Sequence, residues 1–264
     1  MGHERIGELP KTKKWKDLVS EMGDLYTSKI KIEDIAKHTA KNVNSQFRKI
    51  HKDKGVLTAF KFLITLSVAM SNDNPRKSLL SYGIELPNNP TPLSVAILIQ
   101  KWIEKEYESI EYGEIAKRSA IDAVVNWYRM KNETEQLSLF NEKKDNIDIW
   151  KKAGSGGGFC EIAYLFFAKF TEYYLNYFLE REASGVFNKL EKRKRFKKDI
   201  GEYTDEIARH SLETAEIMKS FAAGWFNKNV EKEVPSDQKI QNFMSFAFGK
   251  IREELRRESE YNGS

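Results

Sequence analysis

The stretch FCEIAYLFFAKFTEYYLNYFL, residues 159–179, decides the fold class. Its aromatic side chains are so dense that on an α-helix they would cover nearly every direction around the axis. A helix that is apolar on all sides is surrounded by other elements, so we predict a central buried helix over about residues 159–181. Glu161, Lys169 and Glu172 interrupt the stretch, and three charges are too costly for a segment that crosses a bilayer.

Helical periodicity continues over most of the chain outside this stretch. Residues 36–50 and 240–255 repeat apolar side chains at the spacing of one face of an amphipathic helix. Residues 56–70 are apolar almost all round, which predicts a second buried helix. A strand-like alternation is confined to residues 29–32, and the six prolines fall between the periodic segments rather than inside them. We therefore predict an all-α fold, an irregular bundle of about ten helices.

The segment LPNNPTP, residues 86–92, is the strongest interruption of the helical pattern. Its prolines and asparagines are typical of a connector, and the last proline fits the first turn of a following helix. We predict a single helical domain over residues 1–264. The alternative is an N-terminal helical unit, residues 1–86, followed by a C-terminal helical unit, residues 93–264.

The composition is that of a globular protein with a single cysteine. Lys plus Arg number 44 and Asp plus Glu number 39, which gives a formal net charge of +5. Cys160 has no second cysteine for a disulfide or a zinc site, and we expect it to be buried and inert. The chain has no stretch of about 18 uncharged apolar residues, and its first residues lack a secretory signal. We therefore expect a cytoplasmic protein that makes no contact with a membrane.

The surplus of positive charge is concentrated in one segment. Residues 185–201 contain seven bases and two acids, Glu191 and Asp199, so their net charge of 7 − 2 = +5 equals that of the whole chain. The bases are Lys189, Lys192, Arg193, Lys194, Arg195, Lys197 and Lys198. Such a patch can neutralise phosphates without reading bases, and Phe187 and Phe196 could add an apolar or stacking contact. The patch is predicted to bind DNA or RNA or an acidic protein; the alternative is a solvated linker between helices.

A glycine run, GSGGG at residues 154–158, precedes the aromatic stretch. Backbone N–H groups at a helix start can bind an anion, so Ser155, Gly156, Gly157 and Gly158 form a weak candidate anion site. Phe159 follows where a P-loop requires Lys and Ser or Thr, and no strand precedes the run. A hinge or close helix packing explains the glycines better, with Ser155 as a helix cap.

Metal-ligating and catalytic patterns are thin. His210 and Glu213 are three residues apart on a predicted helix, and Asp34 and His38 are four apart on another. These four side chains are weak candidate metal ligands, and the preferred expectation is no bound metal and no cofactor. No catalytic residue is predicted, because the chain has no nucleophile motif and no His-Glu-x-x-His pattern.

These observations favour a non-enzymatic helical subunit of a multi-protein assembly. It would dock on other protein subunits through aromatic helix faces and contact nucleic acid or an acidic partner through the basic segment. One alternative is a metal-dependent enzyme whose site is assembled between helices. Another is an accessory protein of a microbial defence or mobile-element system, which no residue favours over the others.

Overall fold

All secondary structure in the described part of the chain is helical. The computed structural model describes residues 49–106, 112–136, 146–187, 189–213, 216–229 and 233–261, with single residues at 13, 16, 17, 19, 20, 35 and 39. For residues 106, 135, 136, 181–186, 204–213, 216–220, 254–256 and 258–261, only the backbone is described. The helices are α1 (Lys54–Met70), α2 (Pro75–Ser81), α3 (Pro92–Glu106), α4 (Gly113–Gln136), α5 (Asn146–Lys151), α6 (Gly156–Val186), α7 (Leu190–Glu213), α8 (Glu216–Asn229) and α9 (Asp237–Tyr261). Two 3-10 turns lie at Ile50–Lys52 and Lys152–Gly154. The prediction of an all-α bundle of about ten helices is confirmed.

Helix α6 is the central element, as the aromatic stretch predicts. It packs against α4, α7, α8 and α1. Phe166, Phe170, Tyr174 and Phe178 on this helix are fully buried, and they recur at steps of four residues. The remaining aromatic side chains fill other directions around the axis, which is why the helix needs neighbours on several sides.

Helix α1 is the second buried helix, and its aromatic side chains join three helices. The ring of Phe60 lies 5.1 Å from that of Phe167 on α6 and stacks at 5.6 Å on Phe243 of α9. Aromatic pairs at these distances stabilise a core beyond the area that they bury. The sequence-distant helices α1, α6 and α9 therefore share one aromatic cluster.

The charged residues that interrupt the aromatic stretch are paired. Glu161 accepts hydrogen bonds from Trp127 Nε1 at 2.8 Å and from Lys131 Nζ at 2.7 Å, both on α4. Lys169 Nζ donates to Glu172 within α6 at 2.6 Å. Buried charge costs little when it is paired, so Glu161 fastens α6 to α4, and the Lys169–Glu172 pair lets α6 carry two charges beside the core.

The connector at residues 86–92 is tied to the bundle. Trp150 of α5 is fully buried, and its Nε1 donates to the carbonyl oxygen of Pro90 at 2.9 Å. Helix α1, before the connector, also packs on α4 and α6, after it. Whether the whole chain forms one domain or divides at the connector stays a prediction. Within the described residues, no helix is both long enough and apolar enough to cross a membrane.

Candidate nucleic-acid interface

The basic segment is the beginning of an amphipathic helix. Lys189 immediately precedes α7, and the other six bases fall within its first nine residues. Phe196 and Ile200 are four apart on α7 and fully buried, which places one side of the helix against the core. Because α7 packs on α6, the bases are held on a rigid element. The interpretation of this segment as a linker is wrong.

The two phenylalanines of the segment face inward. Phe187 is 2% exposed and Phe196 is fully buried, with their ring centroids 5.3 Å apart. The expectation that they meet a base or a partner's apolar surface is therefore wrong. Their role is to fix the turn before α7 to the first turns of that helix, which leaves polar contacts as the chemistry of the outer surface.

Two of the bases fasten the start of α7 to the rest of the protein. Arg193 Nε donates to the carbonyl oxygen of Phe187 at 2.6 Å, and Lys197 Nζ lies 2.9 Å from Glu180 of α6. The first contact satisfies a backbone carbonyl that precedes the helix. These two side chains therefore have a structural role, and a bound phosphate would compete with their contacts inside the protein.

Two further bases form loose pairs along the helix. Arg195 Nε is 3.7 Å from Asp199, and Lys198 Nζ is 3.6 Å from Glu202, both at a spacing of four residues. The basic side chains are 71% and 73% exposed. Exposed pairs of this kind contribute little to stability and exchange readily with other ions. A phosphate group could therefore take either base from its acid.

The remaining three bases have no acidic partner in the part of the chain that the structure describes. Among the residues that the structure describes, Lys189, Lys192 and Lys194 form no ion pair. Lys189 and Lys194 are exposed, and Lys192 is half-buried. Their ammonium groups lie at the beginning of α7, where the backbone N–H groups give the helix its positive end. Cations at this end oppose the helix dipole, and Glu191 is the one acidic residue in the first turn.

The glycine run is explained by packing. Helix α6 begins at Gly156, three residues earlier than expected, and Ser155 Oγ accepts the N–H of Gly158 at 2.9 Å. A Cβ atom on Gly158 would lie 2.0 Å from the carbonyl oxygen of Lys152. Ser155 is thus the predicted helix cap. The Gly158 N–H is already used within the chain, so the anion site stays a prediction that the packing does not require.

Close approach also explains the flanking glycines. A Cβ atom on Gly154 would meet the backbone nitrogen of Ser71 at 2.3 Å, and one on Gly156 would meet the Asn227 side chain at 2.7 Å. Gly157 has open space by comparison, since its nearest neighbour would be Ser155 Oγ at 3.9 Å. The run brings the start of α6 against the end of α1 and against α8.

The candidate metal ligands are not brought together within the described side chains. Asp34 and His38 lie outside the described residues, and His210 and Glu213 lie on α7, where only the backbone is described. Across the described residues, no group of three or more His, Cys, Asp or Glu side chains is placed to hold a metal ion. The metal site stays a prediction. Cys160 is buried, 8% exposed, as expected.

A polar cluster between α4 and α6 escapes sequence reasoning. The Tyr173 hydroxyl donates to the Asp122 carboxylate, and the Arg118 guanidinium lies 4.1 Å over the Tyr173 ring. Burial, aided by the hydrogen bond to Asp122, raises the pKa of Tyr173 well above its ordinary value. The hydroxyl therefore stays protonated and acts as a donor that joins the two helices. The residues are 51 positions apart, and no motif connects them.

Comparison with known proteins adds no relative. No family model matches the chain, and neither a curated protein nor a solved structure matches it. Function is therefore inferred from the residues of this chain alone.

Proposed function

We propose that this protein binds nucleic acid through the sugar-phosphate backbone, without reading sequence. The contact surface is the basic face, defined as Lys189, Lys192, Lys194, Arg195 and Lys198 at the start of α7. The observation that carries the proposal is the group of three lysines there without an acidic partner among the described residues. The protein acts as a binding subunit and not as an enzyme.

The electrostatics of the helix start support an anionic partner. Each cation near the positive end of a helix opposes the dipole by about 0.3–1 kcal/mol at low ionic strength. A phosphate placed there would be attracted by the lysines and by the positive end of the helix dipole. Binding would also release the counterions condensed on the nucleic acid. A bound polyanion would therefore offset the repulsion between these lysines and the positive end of the helix dipole.

The chemistry of the surface favours nucleic acid over an acidic protein. The cores of protein interfaces are apolar or aromatic and contain few lysines, whereas protein–DNA interfaces are strongly positive. Around the basic face the aromatic side chains are buried, and Leu190 is the one large apolar side chain of the described residues 189–202 that is exposed, at 59%. A surface of ammonium and guanidinium groups fits phosphates better than it fits a protein partner.

Docking on other subunits is the second part of the proposed role. It cannot use most of the aromatic residues of α6, because they fill the core. Tyr173 and Tyr177 on this helix are only half-buried and, four residues apart, lie on one side that would serve such a contact, whereas the half-buried Tyr164 lies on the opposite side. This part of the proposal rests on composition and partial exposure.

Replacement of Lys189, Lys192 and Lys194 tests the proposal. The variant Lys189→Glu/Lys192→Glu/Lys194→Glu keeps Arg193 and Lys197, which hold the start of α7 in place. A matched control reverses three exposed lysines elsewhere, Lys77→Glu/Lys101→Glu/Lys228→Glu, so both variants have a net charge of 5 − 6 = −1. Binding to fluorescently labelled single-stranded and duplex DNA and RNA is measured by anisotropy at about 50 and 200 mM salt.

The basic-face variant should lose most of its affinity for nucleic acid. The control variant should lose only the small part that its changed net charge accounts for. If three phosphate contacts disappear, the slope of log affinity against log salt should fall by about 2 for single strands. Equal losses of affinity in both variants would mean that net charge, and not the basic face, causes the binding. Absence of binding by the natural chain at low salt would overturn the proposal. Binding to polyglutamate instead, lost only in the basic-face variant, would assign the face to an acidic protein.

A further inference from the structure

A cleft of about 750 Å³ lies between α1, the start of α9, and two aromatic side chains. Lys54 and Lys61 of α1 form one wall, and residues 234–237 form the opposite one. Tyr82 and Trp102 also line the cleft. Its volume is within the range of small-molecule sites, about 300–1,000 Å³. It is formed by different residues from the basic face of α7.

The charge of the cleft is positive. Lys54 is exposed and has no acidic partner among the described residues, whereas Lys61 Nζ lies 2.7 Å from Asp237. Helix α1 begins at Lys54 and α9 begins at Asp237, so the positive ends of two helix dipoles are at the cleft. The lining holds two lysines and one carboxylate, and the start of α1 is already capped by Asp53, so the excess positive charge comes from the lysines. A ligand with negative charge is favoured.

The ion pair in the cleft is open to competition. The Lys61 side chain is 35% exposed and that of Asp237 is 56% exposed. A solvent-exposed pair of this kind is weak, so a carboxylate, sulfonate or phosphate group of a ligand can take Lys61 from Asp237 at little cost. Asp237 then holds the lysine in position when no ligand is bound.

The aromatic side chains give the cleft an apolar wall. The Trp102 ring packs edge-on against Phe62 of the core at 6.0 Å, which fixes its orientation. Trp102 Nε1 is buried and donates to no acceptor among the described residues. This nitrogen has no contact with solvent, so the indole meets the cleft only with its apolar surface. Tyr82 is held by the Val234 N–H, which donates to its hydroxyl at 3.4 Å.

We infer that this cleft binds a small organic anion that carries an aromatic ring. Lys54 and Lys61 bind the anionic group, and the ring packs against Trp102 and Tyr82. Asp237 opposes binding, because it competes with the ligand for Lys61. The cleft is therefore a second binding site of this chain, for a small molecule rather than a polymer.

The experiment uses 8-anilinonaphthalene-1-sulfonate, a fluorescent ring-bearing anion, and its uncharged analogue N-phenyl-1-naphthylamine. Lys54→Glu should weaken binding of the sulfonate at least about tenfold, because it reverses a charge at the anionic group. This substitution places an acid in the first turn of α1, where the helix dipole favours it, so we expect the variant to fold, and its thermal unfolding is measured alongside. Lys101→Glu, at an exposed lysine of α3 outside the cleft, should have no comparable effect.

Asp237→Asn should have the opposite effect and tighten binding about threefold, since it frees Lys61. Asp73→Asn, which removes an exposed acid outside the cleft, is its control. The uncharged analogue should bind more weakly than the sulfonate and should not respond to Lys54→Glu. Sulfonate binding that is insensitive to Lys54→Glu, or tightened equally by both Asn variants, would overturn the inference.

The experiment distinguishes failure of the proposed small-molecule cleft from failure of the proposed nucleic-acid surface. The variant with Lys189, Lys192 and Lys194 replaced should bind the sulfonate as the natural chain does. A nucleic-acid oligonucleotide should not displace the dye from the natural chain. Displacement that disappears in the basic-face variant would place the dye on α7 and overturn the assignment to the cleft.

Discussion

The beginnings of α6 and α7 differ in how their positive helix ends are compensated. Both helices are long, 31 and 24 residues, and both leave backbone N–H groups at their first turn. At α6 the chain satisfies this end itself, because Ser155 caps it, Gly154 and Gly158 let neighbouring backbone approach, and Gly156 makes room for the Asn227 side chain. At α7 the first turns carry cations that the helix dipole disfavours.

The difference separates a structural helix start from a functional one. At the start of α6, Ser155, Gly154, Gly156 and Gly158 each have a partner or a close neighbour that explains them, and Gly157 alone does not. At the start of α7, Lys189, Lys192 and Lys194 have no such explanation within the described chain. Local rules of helix stability are broken most often where a sequence serves a ligand.

The glycines of α6 allow the sharpest test of its packing. Gly158→Ala places a Cβ atom 2.0 Å from the Lys152 carbonyl oxygen, so the backbone must shift. We expect the free energy of unfolding to fall by about 3 kcal/mol. Gly157→Ala is the control, since its Cβ would have no neighbour closer than 3.9 Å, and it should leave stability equal or raise it by about 0.5 kcal/mol. Urea denaturation measures both, and equal effects would contradict the packing explanation.

The cap of α6 has a smaller expected effect. Ser155→Ala removes the acceptor of the Gly158 N–H and should lower the free energy of unfolding by about 1 kcal/mol. Ser155→Asp keeps an acceptor and adds a charge that the helix dipole favours, so it should retain most of the stability. The same denaturation experiment compares the two. A loss in Asp equal to that in Ala would show that the hydroxyl does not act as the cap.

Charge reversal at α7 should stabilise the protein. Lys192→Glu/Lys194→Glu replaces two cations near the positive end of the helix by anions, which should raise the free energy of unfolding by about 1 kcal/mol at low salt. Salt screens such interactions, so the gain should shrink as ionic strength rises. Thermal unfolding followed by circular dichroism at two salt concentrations gives the answer. A destabilised variant would mean that the lysines are structural.

A third helix start, that of α1, has a half-buried acidic cap, Asp53, whose protonation makes the stability depend on pH. Asp53 accepts the N–H of Val56 at 3.0 Å, and burial raises the pKa of its carboxyl group despite this and other backbone hydrogen bonds. At neutral pH the carboxyl group is charged, and the burial of that charge lowers the free energy of unfolding. Protonation removes this cost as pH falls through the raised pKa. Compared with Asp53→Asn, the natural chain should therefore gain stability between pH 7 and about pH 4. A relative loss on acidification would contradict the assigned cause.

Much of the fold can be predicted from the sequence because the helical pattern is strong. The aromatic stretch predicts α6 as the central helix, and the apolar run at residues 56–70 predicts α1. The beginning of α6 is less predictable: glycine is a poor helix former, so its first turn is helical only because Ser155 caps it and the backbone packs closely there. Likewise, Phe196 and Ile200 are four residues apart, as on one side of a helix, but the many charged residues around them make this apolar spacing hard to recognise in the sequence.

The candidate sites are less predictable, because they depend on which residues meet. The seven bases are visible in the sequence, but the described contacts divide them into anchors such as Lys197 and bases such as Lys194 that have no acidic partner among the described residues. The cleft brings Lys61 and Asp237 together across 176 positions, and neither belongs to a motif. Such contacts follow from helix packing, which a single sequence does not encode in a local pattern.

Stabilisation by nucleic acid tests the central claim most directly. The melting temperature of the natural chain and of Lys189→Glu/Lys192→Glu/Lys194→Glu is measured with and without an oligonucleotide at low salt. A ligand at 100 times its dissociation constant stabilises the folded state by about 2.7 kcal/mol, so the natural chain should melt at a higher temperature with the oligonucleotide present. The basic-face variant should not respond. An unshifted natural chain, or an equal shift in the variant, would contradict the assignment of nucleic-acid binding to the start of α7.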